Sequence, residues 1–84
     1  MKADYLITFR SITFAQRAQV ALKRIGIENR LQRTPRNLSS RGCGYCLLIE
    51  GRDALPAVEV LRQQDIDFGK VYGLTASGME EQHL

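Results

Sequence analysis

Apolar and polar positions alternate along this chain in blocks that read as short strands and two helices. Tyr5-Leu6-Ile7-Thr8-Phe9 is an apolar, aromatic and β-branched run, the composition of a strand. Ser11 or Thr13 then offers a side-chain oxygen to cap a helix. Phe14, Ala18, Ala21, Leu22 and Ile25 recur at helical spacing, and Gly26 stands where a left-handed residue ends the helix. Ile27 to Thr34 alternates weakly, as an edge strand does, and Pro35 stops it. Arg36 to Gly44 is a loop rich in Asn, Ser and Gly. Tyr45 to Glu50 is apolar on both faces and reads as a central strand. Asp53 is placed to cap a second helix that tolerates Pro56 in its first turn and turns Leu55, Val58 and Leu61 inward. Lys70 to Leu74 is a last short strand.

The halves repeat. Leu22-Lys23-Arg24-Ile25-Gly26-Ile27-Glu28 aligns with Leu61-Arg62-Gln63-Gln64-Asp65-Ile66-Asp67, and the first and third strands are offset by a similar length. Two βαβ units in so short a chain predict an α+β fold of the ferredoxin-like βαββαβ kind, a four-stranded antiparallel sheet with both helices on one face. Residues 1–74 form the expected single domain and 75–84 a flexible C-terminal tail. Two helices supply too few apolar stripes for both sheet faces. One face is therefore expected to stay open, with Tyr45, Leu47 and Ile49 or their neighbours on it, and to form a homodimer there or by edge pairing.

Composition narrows the class without deciding it. The chain has 84 residues, 44% hydrophobic and 25% charged, which suits one globular domain. Its net charge of +3 is too slight to argue for nucleic acid. The charge is uneven, however: Arg30, Arg33, Arg36 and Arg41 share a stretch without an acid, which reads as a solvated basic edge or an anion site. No signal-peptide pattern opens the chain and the longest apolar run, Tyr45 to Ile49, is far too short for a membrane. A cytoplasmic location with reduced thiols is the expectation.

The chemically distinctive feature is the pair in Cys43-Gly44-Tyr45-Cys46. In the expected topology the end of the first strand, at Phe9 and Arg10, lies beside the start of the third, at Cys43 and Gly44. The first helix begins at that same end, behind Ser11, with free N–H groups and the positive end of its dipole. Arg10 and Arg41, with Arg36 and Lys70 in support, add positive charge, and these conditions favour a reactive thiolate. Gly42 and Gly44 leave the sulfur uncrowded. Cys46, followed by Leu47-Leu48-Ile49, reads instead as a buried small hydrophobe.

Cys-x-x-Cys permits other chemistries. A redox pair belongs at a helix N-terminus, whereas here it enters a strand, where residues three apart point to opposite faces. Zinc lacks ligands, since His83 stands alone near the C-terminus, so no metal or other cofactor is expected. Arg41-Gly42-Cys43-Gly44-Tyr45-Cys46-Leu47-Leu48 resembles the RNP1 octamer of RNA-recognition domains. It keeps the aromatic Tyr45, with Tyr5 available on the first strand, but has Cys43 and Leu48 where two other rings belong. No Cys-His nucleophile pair or phosphate loop is present, so hydrolytic catalysis has no support.

Tyr5 to Ser11, Thr34-Pro35-Arg36, Leu38-Ser39-Ser40-Arg41-Gly42-Cys43-Gly44-Tyr45 and Phe68-Gly69-Lys70-Val71-Tyr72 together resemble the small bacterial family of selenium/sulfur carrier-like proteins. The resemblance runs from about Asp4 to Tyr72. It maps the family cysteine onto Cys43, whereas Cys46 has no counterpart, and Arg41 and Gly42 separate the serines from the cysteine. It implies a carrier rather than an enzyme, holding sulfur or selenium as a persulfide or perselenide between donor and acceptor proteins. For a persulfide anion on Cys43, the residues themselves offer Arg41 and the N-terminus of the first helix as positive partners, with Ser39 or Ser40 as hydrogen-bond donors.

Overall fold

The computed structural model describes residues 4–35, 44–75 and 78–82. β1 (Asp4–Phe9) leads into α1 (Ile12–Arg24) and β2 (Arg30–Arg33). β3 (Tyr45–Glu50) runs through a 3₁₀ turn at Gly51–Asp53 into α2 (Ala54–Gln63), and β4 (Val71–Thr75) and β5 (Gly78–Gln82) follow. The sheet is antiparallel with order β2-β3-β1-β4-β5. This α+β arrangement keeps the expected element order through β4, but the described residues form five strands rather than four. The segment after residue 74 supplies β5, which pairs with β4 from Val71↔Gln82 to Thr75↔Gly78. Met79-Glu80-Glu81-Gln82 has little apolar periodicity, and an edge strand needs only backbone pairing.

Both helices end in the same way, which makes the sequence repeat physical. After α1, Gly26 takes φ +81° and the Ile27 N–H reaches back to the Leu22 carbonyl at 2.9 Å. After α2, Asp65 takes φ 53° and the Ile66 N–H reaches the Leu61 carbonyl, also at 2.9 Å. The left-handed residue turns the chain so that the following isoleucine folds back onto the core. Leu22, Ile27, Leu61 and Ile66 are all buried.

The inner stripes are smaller than expected. α1 buries Ala15, Ala18, Ala21 and Leu22, and α2 buries Ala54, Ala57, Val58 and Leu61. These are i, i+3, i+4 sets whose alanines let the helices approach the sheet closely. Ile25 and Leu55, expected inside, are each 52% exposed. Ile25 has already become the C-cap of α1, and Leu55 is one residue out of phase with the stripe that starts at Ala54. Ser11 caps α1, its Oγ accepting from the Phe14 N–H at 3.2 Å. Asp53 occupies the corresponding place before α2 but makes no side-chain cap, because the preceding 3₁₀ turn holds its backbone at φ −98°, ψ −3°.

The core lies between the helices and one sheet face. Ile7, Phe9, Leu47, Ile49 and Val71 pack with the helix stripes, and Tyr5, Leu31 and Tyr45 pack against that cluster half-buried. Tyr45, Leu47 and Ile49 therefore face the helices. Their neighbours Cys46, Leu48 and Glu50 alternate onto the other face, which neither α1 nor α2 covers. Leu6 is buried yet stands outside the helix-side cluster, in register with Leu48 and Tyr72 on that second face.

Candidate thiol site

The opening of β3, which follows the Cys43-Gly44 step in the sequence, lies where the topology requires. Phe9 pairs with Tyr45, so the close of β1 lies beside the opening of β3, and α1 starts three residues after Phe9. Arg10 is exposed there, and Ser11 is engaged as the α1 cap. Gly44 continues the ladder, its carbonyl accepting from the Thr34 N–H at 3.1 Å, and a methyl group added to it would meet none of the described residues within 4 Å. Ser39, Ser40, Arg41, Gly42 and Cys43, like Arg36 and His83, lie outside the described residues. Of the residues singled out for the site, the structure thus brings Arg10, Ser11 and Gly44 to one end of the sheet.

Thr8 fastens that end in a way the sequence pattern only hinted at. It is 1% exposed, and its Oγ1 accepts from the Lys70 N–H at 2.8 Å and donates to the Lys70 carbonyl at 3.2 Å. The Thr8 carbonyl accepts from Gly69 N–H at 2.6 Å, and its own N–H donates to Lys70 O at 2.9 Å. Four hydrogen bonds from one residue hold the Gly69-Lys70 approach to β4 against the close of β1. The available signal was a hydroxyl residue inside an otherwise apolar strand, Tyr5 to Phe9. On the helix side, the Arg33 guanidinium stands 5.3 Å from the centroid of the Tyr45 ring, a cation–π contact between cross-strand partners.

Cys46 is a free thiol with no exposed surface. It pairs with Thr8 on one side and Gln32 on the other, within the sheet rather than at its edge. Burial pushes its pKa above the ordinary thiol value, and the nearby Thr34 and Gln32 side chains offset this only in part. Thr34 Oγ1 is itself buried and reaches full hydrogen-bond geometry with none of the described residues. A neutral, enclosed thiol is a poor nucleophile. Buried Cys46 agrees with its reading as a small core hydrophobe, although it is buried on the face away from the helices.

The RNP1-like reading requires its rings on the open sheet face. Tyr45 and Tyr5 pack on the helix side instead, half-buried against the core. The odd-numbered residues of β3 face the helices because Leu47 and Ile49 are needed in the core, and Tyr45 follows them by parity. Tyr72 is the tyrosine that alternation places on the helix-free face.

Among the described residues no helix is long and apolar enough to cross a membrane. No curated protein and no solved structure gives a significant match to the chain. Residues 4–73, which include both cysteines and every strand through most of β4, match the family model described as "Putative Se/S carrier protein-like", and the chain belongs to that family.

Proposed function

We propose that this protein carries sulfur or selenium as a persulfide or perselenide on Cys43. The observation that supports this reading is the burial of Cys46. The chain has two cysteines, and with Cys46 fully enclosed on the helix-free face, Cys43 is the thiol left to hold a cargo. The Cys43 thiolate attacks the terminal chalcogen of a donor persulfide or perselenide. The donor's chalcogen–chalcogen bond breaks, the donor thiolate leaves, and a new bond to the cargo forms on Cys43 with no net oxidation. Arg10, Arg41 and the N-terminus of α1 stabilise the anion, and Ser39 and Ser40 donate hydrogen bonds to it. The partners are a donor and an acceptor protein, in the reducing cytoplasm where thiols stay free. The scaffold is read as a ferredoxin-like unit through β4, extended by β5.

A buried second thiol suits a carrier. A mobile Cys46 would attack the inner sulfur of the loaded Cys43, expel hydrogen sulfide and leave a disulfide. Intact-mass measurement after incubation with a cysteine desulfurase and cysteine tests the proposal. One added sulfur is expected, lost in Cys43→Ser and kept in Cys46→Ser. An unmodified mass together with a readily formed Cys43–Cys46 disulfide would replace the carrier reading with thiol–disulfide exchange.

A further inference from the structure

The helix-free face of the sheet is not the polar surface that a solvent-facing antiparallel sheet presents. One register row crosses it from edge to edge: Arg30 pairs with Leu48, Leu48 with Leu6, Leu6 with Tyr72, and Tyr72 with Glu81. Leu74 and Met79 pair beside this row. Leu6 is buried, Leu48, Tyr72 and Met79 are half-buried, and Leu74 is 47% exposed. The result is a contiguous apolar strip closed by a cation at the β2 edge and an acid at the β5 edge.

We propose that two copies of this chain stack through this face, about a two-fold axis that runs along β1 in the interface plane, so that Arg30 of each copy meets Glu81 of the other. Rotation about that axis lays β2 of one copy across β5 of the second, Leu48 across Tyr72, and Leu6 across Leu6. The packing is that of an aligned β-sandwich, with sheets about 10 Å apart and strands crossing at about 30°. Glu81 already lies 3.6 Å from Lys70 through Oε1, and a carboxylate has lone pairs for a second cation. Asp4 faces its own copy at the end of the axis, where solvent screens the repulsion.

Three observations select a second copy as the occupant. The rim of the face mixes Arg30 and Lys70 with Asp4, Glu50 and Glu81, so the face complements itself rather than a partner of one sign. The outer side of α1 differs, carrying Arg17, Lys23 and Arg24 with no acid in the helix. The sheet edges oppose two-fold pairing: β2 exposes Arg30 and Arg33, and β5 exposes Glu80 and Glu81, so each edge would meet its like charge. The molecule is also a slab 32 by 30 Å across and 20 Å thick, whose broad face has the size that a standard interface of about 800 Å² per partner requires.

Sedimentation equilibrium over a range of concentrations tests this association, which is independent of any cargo. The wild type is expected to be a dimer. Leu48→Glu or Leu74→Glu should raise the dissociation constant on the order of 30-fold. Leu74 is half-exposed at its site, so its variant keeps the test valid if Leu48→Glu fails to fold, as circular dichroism would reveal. Arg30→Glu and Glu81→Arg should each weaken the dimer, and the double variant should regain it. Arg33→Glu, on the helix side of the β2 edge, should leave it unchanged. A monomer throughout, a dimer indifferent to Leu74→Glu, or a double charge swap no tighter than either single one would overturn the proposal.

Discussion

Because Cys46 is 0% exposed, alkylation at this sulfur requires a local opening of the structure packed around it, of which parting β2 from β3 is the smallest strand-level event. A domain of 84 residues has a global stability of about 4–12 kcal/mol, and a sub-global opening of an edge strand lies at the lower end of such a range. An opening free energy of about 4 kcal/mol exposes the thiol roughly one part in a thousand of the time, since each 1.4 kcal/mol is a factor of about ten. In a Cys43→Ser background, iodoacetamide should therefore label Cys46 about a thousandfold more slowly in buffer than in concentrated urea, and the buffer rate should climb as urea is added. The assay is peptide mass against time. A native rate within tenfold of the unfolded one would show that the sulfur is reachable in the folded chain, and would remove the observation on which the carrier proposal rests.

Two other outcomes follow from the same structure. The Cys46 pKa is raised in the folded chain, so below the ordinary thiol range both folded and unfolded states keep the proton and stability is intact; as pH rises beyond it the unfolded chain ionises first, and stability falls by at most about 1.4 kcal/mol per pH unit until the folded-state pKa is passed. Urea melts of Cys43→Ser and Cys43→Ser/Cys46→Ala across neutral to alkaline pH should show this extra loss only where Cys46 is present. Asp65, a non-glycine at φ 53°, stands where α1 uses Gly26, so Asp65→Gly should stabilise the chain by about 0.5–1 kcal/mol and Gly26→Ala should destabilise it by about 1 kcal/mol or more, both read by thermal melting.

The elements with strong periodicity were legible in the sequence. β1, α1 and β3 lie where their apolar runs placed them, and the thirty-nine-residue repeat pointed to two helix ends that share a cap. Three features were hidden for separate physical reasons. β5 carries its information in backbone pairing with β4, and Glu80 and Glu81 look like tail residues when the partner strand is out of view. Leu55 is as apolar as Val58 and three residues from it, so only the point at which the 3₁₀ turn gives way to α2 puts Ala54 rather than Leu55 on the stripe that faces the core. The network around Thr8 joins residues sixty-two positions apart, and no local pattern carries that separation. At the site, the meeting of Arg10, Ser11 and Gly44 followed from topology, because strand order fixes which ends are adjacent.

The alternation along β3 links this fold to its chemistry. Tyr45, Leu47 and Ile49 go under the helices, while Gly44, Cys46, Leu48 and Glu50 go to the other side. A slip of one residue toward the start of β1 would reverse every assignment, putting Tyr45 on the open face beside Thr8 and driving Cys46 into the helix-side core. That slipped strand is the one an RNA-stacking surface would need. The observed register is held from both flanks: Leu47 and Ile49 fill the space left by the small alanines of α1 and α2, and the Thr34–Gly44 hydrogen bond extends the β2 pairing to the start of β3. Helices that approach the sheet on alanines leave room for long aliphatic side chains beneath them but little for a smaller thiol to replace, so the core demands the leucine and isoleucine positions. The demand for a filled core thus sends Cys46 to the opposite face, in register with Thr8 and Gln32, where it has no exposed surface.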